Sequence, residues 1–156
     1  MREQGVELEQ DYHVVTESVL FEHGLEAGKQ IAASKSRFTA AAVMADVLAF
    51  GVMKGLRQCG KRIPEDVSVV GFDNLPECEY SYPALTSVSQ HLEEKARCAG
   101  EYLFSLLHDS STPATGRNVD VELIERASVK ALETPAGEEN LLKKNWRESQ
   151  NCILCF

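Results

Sequence analysis

The sequence predicts an α/β fold built on a parallel sheet. Short apolar segments of strand length alternate with longer segments of helical periodicity along most of the 156 residues. The run Val67–Phe72 is short and rich in β-branched residues, which fits a strand covered on both faces. The helical segments each carry an apolar stripe that needs a sheet to pack against.

The elements follow in order. His13–Ser18 is a weak first strand. Phe21–Ser34 reads as a helix, with Leu25, Gly28, Ile31 and Ala32 on or near one face. Phe38–Ala45 has strand length. Asp46–Gly60 reads as a helix with Asp46 as its N-cap and Gly60 as its C-terminal stop. Its apolar side is formed by Val47, Phe50 and Met53, with Leu48 or Leu56. Pro64, Glu65 and Asp66 make a turn before the Val67–Phe72 strand. A proline-containing loop with Tyr80 and Tyr82 leads to a strand at Leu85–Gln90. His91–Ser110 is the clearest helix, with Leu92, Ala96, Ala99, Leu103, Leu106 and Leu107 in one stripe. After the loop 110–118, Val119–Val129 reads as a strand that alternates from Val119 to Leu123. Beyond Val129 the chain is polar and broken by Pro-Ala-Gly. A short helix around Leu141–Trp146 is expected there, and no core role. No internal repeats occur.

Composition excludes several function classes. The length suits one ordinary domain. Apolar residues make up 44% and charged residues 26%, as in a soluble globular protein. The net charge of −8, from 24 acidic against 16 basic residues, offers no footprint for nucleic acid. No 18-residue apolar run predicts a membrane span, and the start lacks a signal-peptide core, so a cytoplasmic location is expected. Cys59, Cys78, Cys98, Cys152 and Cys155 are scattered and odd in number, which does not suggest a disulfide framework. The terminal pair Cys152 and Cys155 lacks a second closely spaced pair for zinc and the strand–helix setting of a redox motif. Ile153 holds the position a prenylated cysteine would need.

No phosphate-cradling glycine loop, nucleophile elbow or HExxH motif occurs. Neither a catalytic site, a metal nor a cofactor is expected. His13, His23, His91 and His108 have no supporting constellation. Asp46 and Asp73 at adjacent strand ends resemble an acid–base pair, but Asp46 is better explained as a helix cap. Asp73 stands just past the carboxyl end of its strand, the rim where open α/β sheets bind ligands. It either accepts hydrogen bonds from a ligand or ends the strand in an Asx-turn, and the local sequence alone favours the turn.

Four stretches occur together: "AD-x-x-A-x-G" from Ala45, "G-x-x-IPEDVSVVGFDN" from Gly60, "P-x-LTSV-x-Q" from Pro83 and "ELIERASV" from Glu122. In this order and spacing they resemble the effector-binding domain of the LacI/GalR family of bacterial transcription repressors, over about Met1 to Val129. The resemblance implies a parallel-sheet, Rossmann-like lobe of a periplasmic-binding-protein-like sensor, incomplete here. Such domains have two similar lobes around a cleft that takes a small effector, often a sugar or nucleoside. They control a helix-turn-helix head that reads operator DNA as a dimer. Ligand-biased closure of the lobes is the switch. A homodimer is therefore expected, with operator DNA contacted only through the missing head, and no enzyme activity and no membrane.

The resemblance assigns residues one by one. Asp73 matches the aspartate that hydrogen-bonds the effector, which reverses the preference for a turn. Gln90 matches a polar residue at the crossover between lobes. Ala45 stands where many members have an asparagine that contacts ligand, and its side chain can neither donate nor accept. Val19 and Leu92 fall at positions that are often aromatic. They keep apolar contact but not ring stacking, which argues against a standard hexose; packing in a core is the plain alternative. Phe50 and Tyr82 fall on the family's dimer surface, although Phe50 could equally face its own core.

The resemblance also places Met1 inside a helix of the family, so the head, most of the first lobe and the opening of the second are absent. Residues 1–129 are then a partial effector-binding domain, whose 91–108 helix packs on the other lobe in the family. Residues 130–156 are a tail unlike the family. An unpaired sheet edge, an under-packed helix stripe and marginal stability or self-association are expected. A dimerisation remnant that senses nothing is the alternative function.

Overall fold

A computed structural model describes residues 13–34, 38–109, 113, 116, 118–131 and the backbone of Cys152–Cys155. The elements are β1 (His13–Val14), α1 (Phe21–Ala33), β2 (Ala40–Val43), α2 (Asp46–Gln58), β3 (Ser68–Phe72), α3 (Glu77–Tyr80), β4 (Thr86–Ser89), α4 (Leu92–His108), β5 (Glu122–Ile124) and β6 (Cys152–Cys155). One six-stranded sheet has the order β1-β6-β2-β3-β4-β5. All neighbours are parallel except β5, which pairs antiparallel with β4. The α/β class and the mostly parallel sheet are as the sequence predicts.

The tail is the largest departure from expectation. Cys152–Cys155 is an interior strand, second from one edge of the sheet, between β1 and β2. The polarity of the preceding residues hid it, because a four-residue apolar run carries no period of its own. The helix expected at Leu141–Trp146 lies outside the described residues. The strand expected over Val119–Val129 shortens to Glu122–Ile124, since only these residues face β4 as an edge strand.

α1 and α2 pack side by side on one sheet face. Buried Ala41, Val43, Val67 and Val69 alternate with half-buried Ala40, Ala42, Ser68, Val70 and Phe72. The Val67–Phe72 segment is thus covered fully on one face rather than both, because both helices take the same side. The α2 side that enters the core is Leu48, Ala49, Val52, Met53 and Leu56, while Val47 is exposed. No residue of α4 is buried; Leu92, Leu103 and Leu107 of its stripe are exposed, and so is Phe104 beside them. The expected under-packed helix is therefore present.

Glycines bring the two helices together. A Cβ on Gly24 would lie 2.1 Å from the Leu48 carbonyl oxygen, and one on Gly28 would lie 2.3 Å from that of Val52. From the other side, Gly51 and Gly55 would strike the Phe21 and Leu25 carbonyls at 2.1 and 2.3 Å. Small residues every fourth position on both helices let the backbones touch. α2 ends as the sequence predicts: Gly60 has φ 79°, Lys61 N–H bonds Leu56 O at 3.0 Å and Gly60 N–H bonds Arg57 O at 3.0 Å. This is the paired-bond glycine stop. The Pro64 turn is held by Arg62, whose backbone N–H and guanidinium bond Asp66 at 2.8 and 2.7 Å. The Arg62 side-chain hydrogen bond holds the Asp66 carboxyl well below the usual carboxylate range.

Asp46 is not the N-cap. Ala45 holds that position with extended backbone and no side-chain bond, and Asp46 is the first helical residue. Its carboxylate turns inward and is fully buried. Oδ1 accepts from Ser87 Oγ of β4 at 2.7 Å, and Oδ2 accepts from Leu75 N–H at 2.8 Å and Cys78 Sγ at 3.1 Å. With both oxygens engaged inside the core, Asp46 is no acid–base partner for Asp73. Burial, then the hydrogen bond to Asp46, pushes the Cys78 thiol up to about 12.

Two outcomes test this packing. Gly51→Ala should destabilise the chain by roughly 1–3 kcal/mol in urea titrations, because backbone must move. Gly100→Ala, in α4 with nothing within 4 Å, should be neutral or stabilise by roughly 0.5–1 kcal/mol. In the native chain exposed Cys59 should alkylate readily at pH 8 and Cys78 about a hundredfold more slowly or less, read by peptide mass mapping. The unfolded thiol ionises at lower pH than the folded one. Stability from this group is therefore complete below the ordinary thiol range and falls as pH climbs toward about 12.

Candidate effector site at the sheet rim

Because β1, β2, β3 and β4 share one direction, their carboxyl ends form a single rim. Val19, Ala45, Asp73 and Gln90 follow these four strands in turn, and Leu92 opens α4. The resemblance-based candidates thus stand along the edge where parallel sheets bind ligands.

Asp73 and Asn74 form a tight corner with φ of 111° and 56°. Neither value is comfortable for a residue with a side chain, so tertiary bonds must hold it. Asp73 N–H donates to Val88 O at 2.9 Å, and Asn74 N–H donates to Ser87 Oγ at 3.0 Å. Arg126 closes the corner from below. Its Nη2 donates to Asn74 Oδ1 at 2.9 Å and its Nη1 to Leu85 O at 2.8 Å, while Glu79 lies 3.9 Å away. Ser128 from the same stretch is buried between β3 and β4. It accepts from Thr86 N–H at 2.8 Å and donates to Val69 O at 2.6 Å.

The side chains above the corner form a polar chain. Gln90 Nε2 donates to Asp73 Oδ1, and Lys95 Nζ donates to Gln90 Oε1. Gln90 thereby links the end of β3 to the first turn of α4. An open cavity of about 460 Å³ lies beside this chain, bordered by Asp73, Asn74, Ser89, His91, Leu92 and Glu94 among others. Its size is in the range of small-molecule sites. Carboxylates on its border favour ligand hydroxyls and amines over anions. The structure therefore brings Asp73 and Leu92 to this cavity and bonds Gln90, which does not border it, to Asp73. Ala45 is buried at the start of α2, and Val19 sits in the exposed loop before α1; neither borders this cavity. Among the described residues, no group of three His, Cys, Asp or Glu is placed to hold a metal.

Phe50 and Tyr82 border a different space, a groove of about 410 Å³ that also includes Phe21, Met53, Arg57 and Tyr80. The Arg57 guanidinium stands 5.7 Å from the centre of the Tyr82 ring and donates to the Tyr82 carbonyl. Phe50 is half-buried: it packs against the core, as the plain alternative expects, and also borders the groove. Tyr80 and Tyr82 are each 82% exposed, so the outer wall of the groove is open.

Arg126 and Lys95 are the contributors that sequence reasoning missed. Arg126 lay within "ELIERASV", but nothing in that stretch says which loop its guanidinium reaches. Lys95 is one of several charges on an amphipathic helix. Only its place five residues after Gln90, one turn into α4, sets it apart.

Comparisons with known proteins agree with this geometry. Residues 1–129 match the model of the periplasmic binding protein-like domain. The HTH-type transcriptional repressor PurR of Vibrio atlanticus (strain LGP32) is 37% identical over 106 residues, which cover 68% of this chain and 32% of that protein. The chain thus spans about a third of the length of the curated relatives it matches. A LacI-type transcription regulator from Bifidobacterium animalis subsp. lactis DSM 10140 superposes with a TM-score of 0.78 at 30% identity, over 83% of this chain and 46% of that one. A LacI family transcriptional regulator from Enterococcus faecium, solved with bound ribose, gives a TM-score of 0.67 at 29% identity, over 73% of this chain and 42% of that one. No described helix is long and apolar enough to cross a membrane. With the family match over residues 1–129 and the superposition on LacI-type regulators in agreement, this chain belongs to the periplasmic-binding-protein-like domain family, in its LacI/GalR transcription-regulator branch.

Proposed function

We propose that this chain is the ligand-sensing portion of a LacI-type transcription regulator, and that its effector is a sugar or related hydroxyl-rich small molecule. One observation carries the reading: the Asp73 carboxylate sits beside an open cavity at the carboxyl rim, already bonded to Gln90. A ligand hydroxyl that donates to Asp73 competes with Gln90 for the same acceptor. Gln90 leads directly into α4, so the competition reaches the segment that joins this lobe to the rest of a regulator. A ligand that binds one arrangement of Asp73 and Gln90 better than the other biases the equilibrium between them. Leu92 supplies the apolar side of the site, while Val19 and Ala45 stand elsewhere along the same rim and do not border it. The ribose bound by the Enterococcus faecium neighbour supports the ligand class. In this reading residues 1–129 form the partial effector domain and 130–156 a separate tail. Control of operator DNA in this reading belongs to a helix-turn-helix head; the relatives are named HTH-type transcriptional repressors. The role is one of binding, not catalysis.

A second reading is favoured by the groove at Phe50 and Tyr82. Its exposed tyrosines and the apolar Phe21 and Phe50 suit a self-complementary contact between two copies. A chain that keeps this surface and binds no effector would be a dimerisation remnant.

The two readings separate in a thermal melt against a panel of pentoses, hexoses, disaccharides and nucleosides. A specific ligand at a hundredfold excess over Kd stabilises by about 2.7 kcal/mol, a shift of several degrees. The shift should vanish in Asp73→Ala and weaken in Gln90→Ala. A cooperative melt that no ligand moves would leave the remnant reading standing. In sedimentation velocity the chain should run as a dimer, and Tyr82→Glu should shift it toward monomer, because a desolvated charge opposes the contact.

A further inference from the structure

A further cavity opens at the other end of the sheet. It has a volume of about 630 Å³ and lies between the turn before β3 and the loop before β4, with Ala127 past β5 on its border. β3 and β4 are parallel, so both segments stand at amino ends of strands, opposite the rim that carries Asp73. The charge here is the reverse of the chain's. Arg57, Lys61 and Arg62 border the cavity against one carboxylate, Glu65, whereas the whole chain has 24 acidic and 16 basic residues. A fourth cation stands close by, since Lys130 Nζ donates to the Glu65 carbonyl at 2.7 Å. Asp66 is committed to Arg62, and no hydrogen bond or ion pair to the Lys61 ammonium occurs among the described residues.

Two of the cations are fixed in advance. Asp66 holds the Arg62 guanidinium through Nε at 3.1 Å and Nη2 at 2.7 Å, which leaves Nη1. The Tyr82 carbonyl takes Nη1 of Arg57, and the Tyr82 ring lies 5.7 Å from that guanidinium, which leaves Nε and Nη2. Positioned donors without acceptors suit an anion with several oxygens. The end of α2 accounts for one of these cations only. Arg57 lies in the last turn, where a positive charge suits the negative end of the helix. Lys61 and Arg62 lie past that end, and the Leu56 and Arg57 carbonyls are already bonded by Lys61 and Gly60 N–H. Like charges on a concave wall add their fields. Pro64, Pro83 and Tyr82 form an uncharged side, and the space is in the range of small-molecule sites, larger than a phosphate group needs.

We propose that this cavity binds a small organic phosphate. Arg57, Lys61 and Arg62 donate to the phosphate oxygens, and the proline and tyrosine side receives the carbon skeleton. It is a second ligand site that shares no lining residue with the cavity at Asp73, and it does not depend on what the rim binds.

The test is an NMR titration of the ¹⁵N-labelled chain with ribose 5-phosphate at low salt, where surface charges are least screened. Ribose, and sodium chloride at matched ionic strength, are the controls. The amides of Gly60, Lys61, Arg62 and Ala127 and the Arg57 Nε–H should shift saturably with ribose 5-phosphate and with neither control. A shift at Asp73 or Gln90 that ribose also produces belongs to the rim and leaves this result unchanged. Lys61→Gln should weaken binding about fivefold or more, because a charged donor is lost. Lys29→Gln, on α1, should leave it as it was. Equal shifts with chloride would overturn the proposal and make the cluster a solvated surface. Undiminished binding by Lys61→Gln would overturn it too. Inorganic phosphate that binds as tightly as the ester would overturn the organic ligand. The wild-type titration decides the matter even if the variant fails to fold.

Discussion

The buried Asp46 carboxylate is the constraint on which the rim depends. One side chain at the start of α2 joins β4 through Ser87, the loop after β3 through Leu75 N–H, and α3 through Cys78. A buried carboxylate is costly unless its lone pairs are filled, and here three donors fill them. The room for it is made by Gly71 of β3, where a Cβ would lie 2.2 Å from Asp46 Oδ1. The corner at Asp73 and Asn74 runs from Gly71, which makes room for the carboxylate, to Leu75, which is bonded to it. The positive φ at both corner residues is held between this bond and Arg126, which bonds Asn74. The aspartate that borders the rim cavity is thus joined through its loop to a second aspartate that is buried beneath it.

The rest of the lobe is arranged so that this clamp sits on a firm base. α1 and α2 touch through Gly24, Gly28, Gly51 and Gly55, which places the start of α2, and so Asp46, at a set height over the sheet. Ser128 fills the gap where β3 and β4 would otherwise lack bonds. The opposite side is loose by comparison. α4 buries none of its residues, although Gln90 and Lys95 tie its first turn to Asp73. A rigid rim joined by one polar chain to a weakly packed helix is the arrangement in which a small ligand has most leverage, since little packing opposes movement of the helix.

The rim and the groove differ in chemistry. The rim cavity is bordered by the carboxylates of Asp73, Glu93 and Glu94 beside Leu92. The groove at Phe50 and Tyr82 is walled by aromatic and apolar side chains, with the Arg57 cation against the Tyr82 ring. The two share no lining residue.

Much of this was legible in the sequence, because it rests on local rules. The α/β class followed from alternating periodicities. The α2 stop followed from Gly60, and the placing of Asp73 at the rim followed from "VVGFDN" ending a strand. The family motifs named the rim residues; Asp73 and Leu92 do border one cavity, and Gln90 is bonded to Asp73. What escaped depends on residues far apart in the chain. Asp46 read as a cap because caps are judged from neighbours, whereas its donors come from Leu75, Cys78 and Ser87. Val47 looked like core because periodicity fixes a stripe but not which way the helix turns against the sheet; the glycine contacts with α1 decide that. Arg126 and Ser128 act across more than forty residues of sequence. The tail read as featureless because a four-residue apolar run is a strand only where other strands flank it. The sequence by itself determined the alternation of strands and helices from β1 to α4 and which carboxylate stands at the rim, since those follow from nearest-neighbour chemistry. Tertiary structure alone decided where the buried carboxylate turns and which segment pairs between β1 and β2, since both are settled by partners distant in the chain.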